Sequence, residues 1–218
     1  MRTKTCGRVL LVSVSMIFGM TAWAQQTSAG KETPVSVDFG VTYGAERGQL
    51  APSNCRCFWM SGAGLDATVN FRRGFGLVAS VSGSTVANVA PGVDVNRIAY
   101  LVGERYTHAL WPARKAVGEQ GVATSQTAKP VGRVDFFAQL LVGGVHGFDG
   151  VYPATGGVTA TANGFAMQLG GGLNMPLSKH LGLRLIDAEY LHTTLPNNTS
   201  NAQNDLRLSA GLTWHLGS

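Results

Sequence analysis

The stretch Asp205-Leu206-Arg207-Leu208-Ser209-Ala210-Gly211-Leu212-Thr213-Trp214-His215-Leu216 decides the fold. Every even position is apolar, and every odd one is charged, polar or glycine. A period of two belongs to a β-strand with one apolar face, and no face of an α-helix reproduces it. The same pattern runs near the other end of the chain, where Val35, Val37, Phe39, Val41 and Tyr43 alternate with Ser36, Asp38, Gly40 and Thr42. Between them, period-2 segments recur at about 57–71, 75–83, 96–106, 133–145, 164–175 and 181–191, while helical periodicity does not. These segments predict eight strands, an even number, most of them about 9–11 residues long. That length crosses a bilayer when the strand is tilted.

Composition decides which face of such a barrel is apolar. Charged residues make up 13% of the 218, about half the ordinary share, while 44% are hydrophobic and 29 are glycine. A soluble barrel hides its apolar residues inside and needs a charged exterior, which so few charges hardly supply. A membrane barrel inverts the arrangement, with polar and paired charged residues inside and an apolar band outside. Mean hydropathy is only +0.09, and beyond residue 24 no unbroken apolar run approaches the length of a spanning helix. Aromatic placement agrees with the inversion. With the first strand rising from the periplasm, Tyr43, Trp59, Phe165 and Tyr190 fall at outer strand ends. Phe71, Phe75, Tyr106, Phe136 and Trp214 fall at inner ends, giving the two girdles that membrane interfaces favour. The expectation is an all-β, eight-stranded antiparallel up-and-down transmembrane β-barrel over residues 34–218.

Residues 1–24 read as a signal peptide: Arg2, Lys4 and Arg8 precede an apolar run from Val9 to Met20, and Ala22-Trp23-Ala24 offers a small-x-small cleavage site. The run is short for a membrane anchor, and Cys6 precedes it, which excludes a lipoprotein acceptor. Residues 25–33 form an N-terminal extension. Of 17 basic residues three lie in the signal segment, leaving 14 against 12 acidic ones, a net of +2. Arg72-Arg73 and Arg114-Lys115 are isolated doublets, so nucleic acid is not an expected partner.

The connections fit the same topology. Residues 72–74 and 176–180 are short and predicted inside; residues 44–56, 84–95, 146–163 and 192–203 are longer and predicted outside, as outer-membrane barrels prefer. The exception is 107–132, long yet on the inner side, read as an insertion with room for a short helix near Ala113–Gly118. Glu104 points at lipid under strict alternation, which a bulge or a place near the inner interface would accommodate.

Ser209, Gly211, Trp214 and Leu216 resemble the C-terminal assembly signal of bacterial outer-membrane barrels, namely polar, any, Gly, two of any, aromatic, any, hydrophobic. With the whole of 34–218, the chain resembles the small OmpA-like outer-membrane β-barrel family. The resemblance implies recognition by the barrel-assembly machinery, and outer-membrane lipid as surroundings. Gly217 and Ser218 follow the final hydrophobic residue, and the chain stops without the family's frequent peptidoglycan-binding domain, so no cell-wall tether is expected.

Asp38, Asp66, Arg97, Arg105, Arg133, Asp135, Arg184, Asp187, Glu189, Asp205 and Arg207 fall on the predicted inner face, provided a bulge near Ile186 turns Arg184, Asp187 and Glu189 inward together. An eight-stranded interior is just wide enough to be filled by side chains. Ions buried there must pair, since an unpaired one costs several kcal/mol. A salt-bridged plug is therefore expected ahead of a proton or solute pathway. Cys55 and Cys57 flank Arg56 outside the second strand. Export permits a disulfide, although a Cys-x-Cys ring is small; free thiols and a metal pair remain open. His192, Thr194 and Asp205 loosely suggest a hydrolytic triad, but the acid points inward by alternation. The expected function is a non-enzymatic envelope protein, without cofactor, that meets an unknown ligand through its outer loops. The alternatives are a lipid A-modifying, deacylase-like hydrolase and a narrow porin.

Overall fold

The computed structural model describes residues 35–49, 57–71, 74–90, 93–111, 133–197 and 201–217. The strands are β1 (Ser36–Gln49), β2 (Cys57–Asn70), β3 (Phe75–Ala90), β4 (Val93–Trp111) and β5 (Val134–Phe148), then the short β6 (Tyr152–Ala154) and β7 (Gly157–Thr159), and finally β8 (Ala162–Pro176), β9 (Leu181–Thr193) and β10 (Gln203–Leu216). All but β6 and β7 close into one barrel in the order β1-β10-β9-β8-β5-β4-β3-β2. Every ladder is antiparallel and joins barrel strands consecutive in the chain, except the seam where β10 returns to β1, from Val37↔Leu216 to Arg47↔Leu206. This is the expected eight-stranded up-and-down barrel. Closure leaves no open sheet edge, so the backbone can satisfy itself without water.

Alternation sends apolar side chains outward. Leu65, Val102 and Leu169 are 57–60% exposed, whereas Arg97, Asp135, Gln168 and Arg184 on the opposite face are at most 4% exposed. An exterior of that kind suits hydrocarbon and an interior of that kind does not. Tyr43, Trp59, Phe165 and Tyr190 ring one end, and Phe71, Phe75, Tyr106, Phe136 and Trp214 the other, all outward and exposed. In the second girdle Phe75 and Tyr106 are cross-strand partners with ring centroids 5.0 Å apart.

The strands overrun their expected limits. β1 continues to Gln49 and β3 to Ala90, and β4 begins at Val93, so most of the predicted connection 84–95 and part of 44–56 is strand. The β3–β4 ladder includes Thr85↔Asn96 and Val86↔Val95. Its hydrogen bonds do not depend on an apolar side chain at alternate positions, so pairing persists where the amphipathic signal ends. At the inner end β4 likewise runs to Trp111 before the 107–132 connection departs. The predicted helix near Ala113–Gly118 lies outside the described residues. Residues 146–163 contain the β6–β7 hairpin, whose turn places Gly156 at φ +91°, a conformation that glycine adopts without steric cost.

Two irregularities concern the charges. Between β8 and β10 the register of β9 shifts, so that Leu185 and Ile186 both point outward while Arg184, Asp187 and Glu189 all point in. β4, by contrast, has no bulge at Glu104: its partners are Leu77 and Leu140, and it faces outward two residues from Tyr106 of the inner girdle. Residues Thr33–Ser218 form one compact unit. The predicted signal peptide and N-terminal extension lie outside the described residues.

Candidate functional site

The lumen holds the chemistry, and it is layered. Nearest the inner end, Asp66 from β2 accepts from Arg184 Nη1 at 2.6 Å and from Arg105 Nη1 at 3.0 Å. Arg105 also reaches Gln139 Oε1 at 2.7 Å and Thr68 Oγ1 at 3.0 Å; Arg184 reaches Asp187 Oδ2 at 3.2 Å and Asn174 Oδ1 at 3.2 Å. Phe137 packs against both guanidinium groups, its ring centroid 4.8 Å from Arg105 and 4.9 Å from Arg184. Cation–π attraction of this kind strengthens when water is excluded, and Phe137 is fully buried.

Above it, Glu46 is paired with Arg97 and with Arg207 at 3.0 Å, and accepts from Ser84 at 2.7 Å. Arg97 also meets Asp205 at 2.6 Å, and Arg207 meets Glu189 at 3.3 Å. Gln139 and Gln168 both donate to Glu189 Oε1, at 3.0 and 2.5 Å, and Gln139 thereby ties the two layers together. Glu46 is the one lumen acid absent from the sequence reading. It stands at an even position of β1, the inward parity of Asp38, but beyond the point where the strand was expected to end.

Among the described residues these layers hold five carboxylates (Glu46, Asp66, Asp187, Glu189, Asp205) and four guanidinium groups (Arg97, Arg105, Arg184, Arg207). Their engagement is unequal. Asp66 and Glu46 each serve two arginines, whereas Asp187 meets Arg184 alone and its Oδ1 has no hydrogen-bond partner.

Level with these outer charges, on the side of β4, β5, β8 and β9, the interior is apolar. Leu101, Leu141, Val145, Ala166 and Leu191 line it, and Tyr152 of the hairpin and Leu195 after β9 are buried among them. Burial holds the Tyr152 phenol above its ordinary pKa, against an opposing pull from Arg97, and its hydroxyl has no partner. At the inner end the lumen opens into a vestibule of about 200 Å³ lined by Asp38, Asn70, Arg133, Asp135, Asn174 and His215. His215 Nδ1 pairs with Asp38, which also accepts from Asn70 at 2.8 Å, and Arg133 Nε pairs with Asp135.

The remaining sequence-derived candidates lie apart. His192 is on the outward parity and bonds Asn204 at 2.7 Å; the Thr194 hydroxyl accepts from Phe165 N at 2.8 Å; Asp205 is buried against Arg97. The structure does not bring these three together. Cys55 and the side chain of Cys57 lie outside the described residues. Among the described residues no group of three His, Cys, Asp or Glu side chains converges to hold a metal ion. Ser209 and Gly211 point inward at the closing seam, and Trp214 and Leu216 outward. A Cβ on Gly211 would collide with the Val41 carbonyl of β1, so the seam itself requires glycine there.

No protein-family model matches the sequence, and no curated protein does. Several solved structures are similar in fold. Ail, the attachment invasion locus protein of Yersinia pestis, solved with the heparin analogue sucrose octasulfate, has 12% identity and a TM-score of 0.49, over 84% of this chain and 100% of that one. Neisserial surface protein A has 14% identity and a TM-score of 0.46, over 81% and 96%. The N-terminal β-barrel domain of Pseudomonas aeruginosa OprF has 13% identity and a TM-score of 0.42, over 83% and 97%.

Proposed function

We propose that this chain is a non-enzymatic outer-membrane barrel protein whose lumen is a plug and whose contacts with other molecules are made by its outer loops. One observation carries the reading: the lumen is filled along its length, by the paired charges around Phe137 in the inner half and by those around Glu46, with Tyr152 and the apolar side chains beside them, in the outer half. A filled interior leaves solute no route, and the exposed apolar band leaves lipid as the surroundings. The barrel-assembly machinery is the proposed partner in biogenesis, through Ser209, Gly211, Trp214 and Leu216, and a surface ligand the proposed partner of the loops.

The hydrolase alternative draws no support from His192, Thr194 and Asp205, which face different sides of the wall. Lipid A from cells with and without the protein, compared by mass spectrometry, should have the same acyl pattern. A lost or gained acyl chain would refute the non-enzymatic reading. Purified barrel in planar bilayers should show at most small, rare conductance, and stable large openings would refute the plug. Carbonate-resistant membrane recovery and a heat-dependent gel shift test the location.

A further inference from the structure

The inner vestibule is a polar cavity at the inner, aqueous end of the barrel. Its walls carry three guanidinium groups, from Arg105, Arg133 and Arg184, and the imidazoles of His180 and His215, against the carboxylates of Asp38 and Asp135. Three guanidinium groups thus face two carboxylates on the lining itself, with Asp66 and Asp187 behind it offsetting Arg105 and Arg184. The three arginines are not equally available. Arg105 and Arg184 at the floor are tied to Asp66, which lies above them in the plug.

Arg133 differs. It engages Asp135 through Nε alone, it remains 29% exposed, and among the described residues its two Nη groups have no partner. The Nη edge of a guanidinium is a planar fork that matches the two oxygens of a carboxylate or phosphate. Around it stand further unused donors. Asn174 uses its carbonyl oxygen on Arg184 and leaves its amide NH₂ free; His215 uses Nδ1 on Asp38 and leaves Nε2 unused. Asp38 has both oxygens engaged and Asp135 one, so among the described residues the spare donors outnumber the one spare carboxylate oxygen. Its volume of about 200 Å³ admits an ion the size of phosphate or a small carboxylate.

We propose that the inner vestibule is a binding site for a small oxyanion, carboxylate or phosphate, held by the Nη fork of Arg133 with His215 and Asn174 beside it. The site is shallow and open, and the two fixed carboxylates oppose the anion, so affinity lies in the millimolar range, on the order of −4 kcal/mol.

The test is an NMR titration of the folded full chain in lipid nanodiscs with sodium phosphate, then sodium acetate, against sodium chloride at equal ionic strength. Saturable shifts are expected at Arg133, Asn174 and His215 with at least one of the two oxyanions and not with chloride. Arg133→Gln should weaken binding by at least about tenfold, and Arg133→Lys, which keeps the charge and loses the fork, by a smaller factor. Lys179→Gln, an exposed residue of the neighbouring turn outside the lining, should leave affinity unchanged. A heat-shift gel establishes that each variant is folded, and Arg133→Lys carries the test if Arg133→Gln does not fold. Non-saturable shifts, equal shifts with chloride, undiminished binding by the tested Arg133 variant, or equal weakening by Lys179→Gln would each overturn the proposal.

Discussion

Asp66 from β2 and Asp187 from its own strand both bond Arg184, yet their removal should have unequal consequences. Asp66 neutralises two guanidinium groups. Asp66→Asn would leave Arg105 buried without its counter-charge and Arg184 with Asp187 alone, a change that costs about 3–5 kcal/mol when a buried pair is broken. Asp187 is the weakly engaged member of five acids set against four arginines, and one of its oxygens meets nothing. Asp187→Asn keeps an oxygen for Arg184 and removes the surplus negative charge, so its cost should stay below about 1 kcal/mol. Urea titrations of the barrel in lipid vesicles rank the two, and an Asp187→Asn variant as damaged as Asp66→Asn would contradict the ordering. Parity alone made most of these charges legible in the sequence, because each residue two positions along a strand returns to the same face. Which acid serves two arginines was not legible, since partners such as Asp66 and Arg184 are 118 residues apart and meet only across the closed barrel.

At the scale of the element, β10 is the strand whose faces differ most sharply. Leu208 and Leu212 lie outward and exposed, while Arg207 and Ser209 face the lumen. Leu212 sits between Val41 of β1 and Leu183 of β9, within the apolar band. Leu212→Arg should cost about 2–4 kcal/mol, whereas Leu216→Arg, beside the inner girdle, should cost less and act instead on the rate of assembly. Thr213→Ser retains a small inward hydroxyl and should change neither. A Leu212→Arg barrel with unaltered urea midpoint would mean that the register is wrong by one residue, which exchanges the faces of the whole strand. The pattern of β9 was equally legible, bulge included, because no regular alternation turns Arg184, Asp187 and Glu189 inward together. Strand ends were not. Above the apolar band β1 is small or polar on both faces, and β3 and β4 keep only scattered valines, so the signal fades at Tyr43 and near Gly83 although the ladders run on to Gln49 and Ala90. Glu46 was lost to the reading for that reason alone.

For the molecule as a whole, the decisive property is that its two closures lie in series along one axis. The charges around Phe137 fill the inner half of the lumen, and the outer half is filled by Glu46, Arg97 and Arg207 on one side and by the apolar cluster with Tyr152 and Leu195 on the other, so a path through the barrel must cross both halves. Resistances in series add, and opening one closure leaves the other in control. Tyr152→Phe removes a buried hydroxyl that has no partner while keeping the ring, so it should leave stability equal or slightly higher and conductance unchanged. Tyr152→Ala empties part of the outer half and should cost about 3–5 kcal/mol, as truncating a large buried aromatic does. Even so, it should not produce stable openings in planar bilayers, because the arginine–carboxylate layer beneath it is intact. Only with Phe137→Ala added, which leaves a void large enough for water beside Arg105 and Arg184, should a persistent small conductance appear. Neither the place of Tyr152 nor its consequence could be read from the chain, since that residue belongs to a connection and enters the lumen from the hairpin, outside any alternation. The series argument fails if Tyr152→Ala alone conducts as freely as the double variant, for then the lower layer would be porous and the charges a lining, not a plug.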